Sequence, residues 1–252
     1  INNFMQYQLT EIYIDNRDWP GNNVKFWNTN EPGSRWRWIL FDTDFGFSIY
    51  SKTAYEFNTL EYALVPDNTS WPNPSWGTLM LRKLLSNPGF KNDFVNQYAD
   101  RINTTFASQR VVALVDSIKQ IYSPEISQHI DRWSLNYSYY LSSINNITGF
   151  ASNRPARAMQ HLQSTLSLGD PLTLKVEVSS TAAGRVMVNS VVPDTYPFSG
   201  TYFRNTPVKL TAIPRPGYKF VRWEYGGFIS YSRSLDYNMS LSARFRAIFE
   251  PA

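Results

Sequence analysis

The sequence contains no cysteine and only two histidines, His129 and His161. Without cysteine the chain forms no disulfide, thiolate metal site or cysteine nucleophile. Two histidines exclude most histidine-based zinc sites and disfavour a Ser-His-Asp triad. Both lie in stretches with a helical pattern, where we expect them to be surface or half-buried helix residues.

The chain also lacks a long apolar run and a block of like charges. No segment approaches the roughly 20 apolar residues of a membrane-spanning helix. The 24 basic and 20 acidic residues are scattered, too dilute for a nucleic-acid-binding surface. We therefore expect a folded protein with no membrane span and no nucleic-acid partner. The chain begins at Ile1 without an initiator methionine or a signal peptide, and we expect it to be a piece of a longer precursor.

Two segments of different periodicity indicate an α+β protein with two domains. Residues 4–14 have a helical pattern, the Pro- and Asn-rich stretch 15–23 predicts a loop, and two β-type runs at 24–27 and 35–41 predict a hairpin. A helical tract of about ninety residues follows, with its last helix from about Arg154 to Leu166. Its apolar stripes are expected to pack in a core, and one of them comprises Val111, Leu114, Val115, Ile118 and Ile121.

The helix-stop sequence Gly169-Asp170-Pro171 precedes a series of short alternating runs with Gly and Pro turns. This pattern predicts a small antiparallel all-β domain. The predicted domains are therefore 1–170 and 171–252. We expect Tyr218, Phe220 and Trp223 to form most of the core of the second one, because aromatic side chains are large for so small a domain.

Acidic and amide side chains cluster in the first fifty residues. Asp15, Asn16, Asp18, Asn22 and Asn23 share one loop, and Asp42 and Asp44 end the second run of the predicted hairpin. The hairpin would bring these oxygens to one edge, where they suit Mg²⁺. Asp18, Asn23 five residues later and the Asp44-Phe45-Gly46 turn match the spacing of a protein-kinase catalytic loop and metal-binding turn. The same residues also fit ordinary Asx turns.

Four segments carry a resemblance to a known family. The runs NRDWPGNNVKFW, RWRWILFDTDFGF, LRKLLSNPGFKNDFVNQYADRINTTF and NRPARAMQHL resemble the later half of the CotH (spore-coat) atypical kinases, over roughly residues 1–168. The resemblance implies a kinase-like C-lobe, built from a short β-hairpin and a helical bundle. It also implies phosphoryl transfer from ATP to protein hydroxyls with Mg²⁺ or Mn²⁺, outside the cytoplasm or on a spore or cell surface.

Carried over residue by residue, the resemblance makes Asp18 the catalytic base and Asn23 a metal ligand, with one of Asp42 and Asp44 as a further metal ligand. Asn16 and Asn22 are assigned to cofactor binding. The sequence leaves the choice between Asp42 and Asp44 open.

Two features of that family are missing from the chain. No Gly-rich phosphate loop is present, and no strand lysine of the kind that holds the phosphates precedes Asp18. We expect these elements in an N-terminal lobe of the same precursor, and we expect the chain alone to be inactive.

The last eighty residues resemble the divergent B-repeat of internalin-type surface proteins. The resemblance is carried by Gly200-Thr201, by VKLTAIPRPGYKFVRWEYGG and by the closing ARFRAIFE. It implies a compact β module of a bacterial surface protein, used as a spacer or contact domain.

Two other functions remain open. The fold could serve a non-catalytic binding or scaffold protein whose exposed aromatic residues, Trp71, Trp76 and Trp133, contact glycans or cell-wall polymers. The clustered oxygens could also hold Ca²⁺ in a structural module, although a glutamate at the twelfth loop position is absent.

Overall fold

The computed structural model describes all 252 residues. They form two compact units that alternate along the chain. The helical unit comprises residues 1–87 and 106–161, and the β unit comprises residues 88–105 and 162–252. The helix at 88–103 therefore groups with the β strands. The sequence, in contrast, predicts two domains that are each continuous along the chain. The domain boundary at 170 stays a prediction. No helix is both long and apolar enough to cross a membrane.

The helical unit begins with α1, Asn2–Tyr13, as the periodicity predicts. Its apolar side chains are almost completely buried, including Phe4, Leu9 and Ile12. The predicted hairpin is also confirmed. Strands β1, Lys25–Trp27, and β2, Arg37–Ile39, pair antiparallel and are shorter than the runs suggest.

Short helices and two long ones complete the helical unit. A 3-10 turn at Ala54–Glu56 is followed by α2, Thr59–Tyr62, and α3, Ser75–Leu85. Residues 88–105 belong to the β unit, and helices α5, Ser108–Trp133, and α6, Tyr137–Thr165, follow them along the chain. The last residues of α6, from 162 onwards, also belong to the β unit.

The helix predicted to begin at Arg154 begins seventeen residues earlier. Pro155 lies inside α6, where a proline removes a hydrogen bond and costs about 3 kcal/mol. The helix continues through it because buried Phe150, Ala151 and Ala158 lie on both sides of the proline. Packing of this face outweighs the local preference for a helix start.

The predicted core role of the α5 stripe is wrong for most of its residues. Val111 is buried, but Leu114, Ile118 and Ile121 are exposed by 58%, 45% and 72%. A periodic stripe shows which side chains share a helix face, whereas burial depends on a partner for that face.

The β unit contains α4, Pro88–Asn103, and eight strands. The five-stranded sheet has the order β5-β3-β10-β7-β8, and the three-stranded sheet has the order β4-β6-β9. The strands are β3 Pro171–Val178, β4 Gly184–Val188, β5 Phe198–Phe203, β6 Pro207–Pro214, β7 Tyr218–Tyr225, β8 Phe228–Ser230, β9 Ser234–Asn238 and β10 Ala243–Pro251. All strand pairs are antiparallel, as predicted, except the parallel pair of β3 with β10.

The core of the β unit contains Trp223, which is fully buried and donates its indole N–H to the carbonyl of Ser232. Phe220 packs against it at the core edge, with ring centroids 5.5 Å apart and ring planes tilted by 52°. Tyr218, in contrast, is 36% exposed, so its predicted core role is wrong.

Helix α4 is bonded to the β strands through a buried carboxylate. Asp100 is fully buried and accepts hydrogen bonds from the side chain of Asn189, from the backbone and hydroxyl groups of Ser190, and from the hydroxyl of Tyr202. Asn103 adds a two-way bond with the backbone of Thr201. Four donors on one carboxylate make α4 an integral part of the β unit.

Candidate active site

The loop predicted to carry the chemistry starts where α1 ends. Asn16 is fully buried; its amide N–H donates to the Glu11 carboxylate at 2.8 Å, and its side-chain oxygen accepts from the backbone N–H of Asp18 at 3.0 Å. Glu11 on α1 therefore fixes Asn16, and Asn16 fixes the backbone of Asp18. Both ends of the Asn16 amide are therefore used within the protein. Cofactor binding by Asn16 stays a prediction.

Asp18 is held through one carboxylate oxygen. The side-chain amides of Asn22 and Asn23 both donate to its Oδ2 at 2.9 Å. Both of these bonds go to Oδ2, and none goes to Oδ1. The two amide bonds orient the carboxylate, and the amide oxygens of Asn22 and Asn23 necessarily face away from it.

The Asp44-Phe45-Gly46 turn docks on the end of α1. The backbone N–H of Phe47 donates to the carbonyl of Ile14 at 2.8 Å. A Cβ at Gly46 would lie 2.9 Å from the same carbonyl oxygen, which only glycine avoids. The turn is therefore placed directly beside the loop that Asp15 opens.

The β1–β2 hairpin brings the two loops together. Lys25 pairs with Ile39, so Asn23 and Asp42 leave the hairpin at the same end. The Asn23 side-chain N–H lies 3.5 Å from the Asp42 carbonyl oxygen. Both residues have positive φ, 52° and 54°, a conformation that Asn and Asp adopt more readily than other side chains.

Asp42 and Asp44 form a close acidic pair at the surface. A hydrogen bond to the Asp44 carboxyl raises the pKa of Asp42, and the negative charges of Asp44 and Asp18 raise it further, while Lys25 lowers it. Lys25 itself lies over the Phe41 ring at 3.2 Å. The repulsion within the pair is of the kind that a bound cation relieves.

The donor set suits Mg²⁺. All candidate ligands are oxygens, from the carboxylates of Asp42 and Asp44 and the outward-facing amide oxygen of Asn23, and Mg²⁺ takes one or two carboxylates together with phosphate oxygens and water. The chain contains no group of three or more Asp, Glu, His or Cys side chains placed to hold a metal. A metal held by these oxygens would take its remaining ligands from substrate phosphates and water.

A buried arginine that sequence reasoning missed supports the loop. Arg154 is 1% exposed and donates to the carbonyls of Ile12 and Tyr13 at the end of α1, at 2.7 and 2.9 Å. It also donates to the carbonyls of Tyr55 and Phe57. The only signal in the sequence was its place within NRPARAMQHL, which contributed to the family resemblance.

Asp15 extends this network. The Arg17 guanidinium pairs with its carboxylate at 3.0 Å, and the hydroxyl of Thr59 donates to it at 2.6 Å. Thr59 in turn accepts from Arg154 at 3.0 Å. Burial raises the pKa of Asp15 although both arginines and the Thr59 bond oppose that rise. Asp15 therefore holds the loop in place from inside the protein.

Three buried polar atoms beneath the loop have no hydrogen-bond partner within normal geometry. They are the hydroxyl of Tyr7, the Oε1 of Glu11 and the indole N–H of Trp19. Burial and the neighbouring Glu11 charge raise the pKa of the Tyr7 hydroxyl, while the Trp19 indole acts to lower it. Burial raises the pKa of Glu11 to about 7, although the Asn16 bond and the nearby Tyr7 hydroxyl both act to lower it.

An aromatic cleft of about 540 Å³ opens beside the loop. Trp19 and Tyr7 line it as buried residues, and Phe26, Trp36, Trp76 and Met80 line it as exposed ones. Gln8, Asn22 and Asn23 are polar residues of its lining. Of the three tryptophans proposed for glycan contact, Trp76 lies in the cleft, whereas Trp71 and Trp133 are exposed elsewhere.

Comparison with protein families identifies the class of protein. The CotH kinase protein family matches residues 1–157, which is more than half of the chain, and the chain belongs to this family. The divergent InlB B-repeat domain matches residues 174–250, a module that indicates a cell-surface protein. Both resemblances found in the sequence are thereby confirmed. Neither the curated proteins nor the solved structures yielded a significant match.

Proposed function

We propose that this chain carries the catalytic loop and the metal-binding turn of a bacterial extracellular or surface kinase, which transfers phosphate from ATP to protein hydroxyls with Mg²⁺ or Mn²⁺. The observation that carries the proposal is the state of Asp18. One oxygen of its carboxylate is fixed by two amides, and the other is free beside the exposed Asp42–Asp44 pair. Membership of the CotH kinase family supports the same reaction.

In the proposed reaction the acceptor hydroxyl approaches the free Oδ1 of Asp18. The hydroxyl oxygen bonds to the γ-phosphorus, the bond from that phosphorus to the ADP oxygen breaks, and the hydroxyl proton passes to Asp18. Asn22 and Asn23 keep the carboxylate in one orientation, which matters because phosphoryl transfer depends chiefly on positioning and electrostatics.

Asp42, Asp44 and the amide oxygen of Asn23 would hold the metal in this assignment. When bound, Mg²⁺ neutralises charge on the transferred phosphoryl group. Asn22 is proposed to face the nucleotide with its free amide oxygen. In this proposal the helical unit corresponds to a kinase-like C-lobe, and turnover requires a nucleotide-binding lobe, so the chain alone is inactive.

The test is phosphate incorporation by the full-length protein with Mg²⁺ and labelled ATP. Replacing the base should lower the rate by about 10²- to 10⁴-fold, so Asp18→Asn is expected to label barely above background. Asp131→Asn, an exposed carboxylate on α5, is the matched control and should label normally. If Asp18→Asn labels as fast as the unchanged protein, Asp18 is not the base.

The exposed tryptophans favour a second candidate function, in which the fold binds glycans or cell-wall polymers without catalysis. Trp71, Trp76 and Trp133 are exposed by 61% to 64%. Glycan binding that is lost with Trp71→Ala, together with no Asp18-dependent labelling, would favour this candidate.

A further inference from the structure

The aromatic cleft exposes an unusual amount of apolar side chain. Phe26, Trp36, Trp76 and Met80 are exposed by 54%, 56%, 64% and 50% and all face one cavity. Contiguous exposed apolar surface of this kind marks binding sites. Trp, Phe and Met are also among the residue types enriched where proteins bind other proteins.

The two walls of the cleft are held in fixed positions. One wall is the β1–β2 hairpin, where the backbone of Trp38 exchanges two hydrogen bonds with the side chain of Asn3 on α1. The other wall is the start of α3, where Gly77 lies directly against Gly21 of the loop and the Gly21 N–H donates to Pro72 at 2.7 Å. A Cβ at Gly21 would lie within 2.4 Å of Pro74, so the close approach depends on glycine.

The polar groups of the cleft connect it to the candidate base. Asn22 and Asn23 line the cleft and donate to the Asp18 carboxylate. A ligand that fills the cleft therefore ends within one side chain of Asp18. Gln8 also lines the cleft, and its neutral amide can both donate to and accept from peptide groups.

We propose that the aromatic cleft is the docking site of the acceptor, and that it takes a peptide with an aromatic or aliphatic side chain next to the hydroxyl that is phosphorylated. The inference rests on the proposed function, because it is Asp18 that receives the hydroxyl proton. Apolar neighbours of that hydroxyl fill the space between Trp36 and Trp76, and the peptide backbone bonds to the amide of Gln8.

Ring geometry favours a peptide over a sugar. Phe26 meets Trp36 edge to face, with centroids 5.4 Å apart and planes at 77°, and Phe4 meets Trp38 at 68°. These rings form the corner of a pocket for a side chain, whereas a pyranose ring stacks on an open flat face. Met80 contributes a flexible side chain that adapts to different apolar partners.

The test measures binding of two labelled heptapeptides to the 252-residue chain by fluorescence anisotropy. One has phenylalanine before and leucine after a central serine, and the other has glycine at both places. We expect the first peptide to bind at least about tenfold more tightly. Trp36→Ala and Trp76→Ala should each remove that advantage. Trp133→Ala, which replaces an equally exposed tryptophan outside the cleft, should not change it.

Equal binding of the two peptides, or an equal loss with Trp133→Ala, would overturn the proposal. So would an N-acetylglucosamine oligomer that binds in place of the peptide and is lost with Trp76→Ala. If the chain does not distinguish the two peptides but the full-length protein still shows Asp18-dependent labelling, only the docking proposal is refuted. If the chain distinguishes the peptides but no labelling occurs, the proposed kinase activity is refuted.

Discussion

Two buried carboxylates, one in each unit, have opposite hydrogen-bonding environments. Asp100 in the β unit has four donors and forms a closed hydrogen-bonding arrangement with Asn189, Ser190 and Tyr202. Glu11 beneath the candidate loop has a single partner, Asn16, and an unpartnered Oε1. Buried polar groups without partners are uncommon and call for a reason. The difference indicates a structural role for Asp100, whereas the Glu11 carboxylate under the Asp18 loop is only partly hydrogen-bonded.

Aromatic residues show the same contrast. In the β unit, Trp223 and Phe245 are fully buried and contribute to a core. Beside the loop, Trp36 and Trp76 remain exposed although they share a cleft. Deviations from core-building rules that concentrate in one place are expected at functional sites. The contrast can be tested by substitutions on both sides of it.

We expect the largest change in stability when the buried Arg154 is replaced. Arg154→Met removes the guanidinium that donates to four backbone carbonyls and to the Thr59 hydroxyl. We expect the free energy of unfolding of the helical unit to fall by about 3 to 5 kcal/mol, since unpaired buried groups are costly. Urea unfolding followed by tryptophan fluorescence measures this. Arg157→Met, one turn further on and half exposed, should cost far less, and similar losses for both variants would refute the assigned role.

The next effect tests the β unit. Asp100→Asn turns one acceptor oxygen into an amide that faces donors, and we expect about 2 kcal/mol of destabilisation. Faster hydrogen exchange at the backbone N–H of Ser190 should accompany it. Asp93→Asn, exposed on the same helix, is the control. Unchanged exchange at Ser190 would show that α4 is not held through this carboxylate.

The smallest effect is a pH dependence caused by Glu11. Its pKa is about 7 in the folded protein and about 4.5 unfolded, so the folded state binds the proton more tightly. The stability it contributes is complete below 4.5 and is lost as the pH rises through 7. His161, whose pKa is lowered to about 4 by burial, acts oppositely but only below about pH 6.5.

Between pH 6.5 and pH 8, therefore, Glu11 should dominate. We expect the free energy of unfolding to be higher at pH 6.5 by roughly 1 kcal/mol, and Glu11→Gln to remove this difference. Urea unfolding at the two pH values measures it. Glu61→Gln, an exposed side chain, serves as the control. An unaltered pH dependence in Glu11→Gln would mean that Glu11 titrates normally.

The sequence predicts elements where local signals are strong. The periodicity of α1, the Gly and Pro punctuation around β1 and β2, and the alternation of the β strands all led to observed elements. Prediction from the sequence was poor where tertiary packing determines the extent of a helix or the burial of its side chains. Neither the passage of α6 through Pro155 nor the exposure of the α5 stripe follows from local preference, because both depend on what lies against the helix.

The candidate site shows the same division. Asx chemistry and spacing in the sequence indicated Asp18, Asn22 and Asn23, and the structure brings these three side chains into contact. The support from Glu11 and Arg154 was not predictable, because the first side chain belongs to a helix with a strong apolar pattern and the second is 136 residues away from Asp18 along the chain. Contacts between residues so far apart in the sequence can be identified only once the three-dimensional fold is known.

The central claim is that the Asp18 loop and the Asp42–Asp44 turn form one magnesium-dependent site. Crystals of the chain soaked with Mn²⁺ and ADP test it through the anomalous scattering of the metal. We expect a peak at about 2.1 to 2.2 Å from a carboxylate oxygen of Asp42 or Asp44, next to the amide oxygen of Asn23, and its loss when both aspartates are replaced by asparagine. No peak, or a peak bound elsewhere on the chain, would contradict the account.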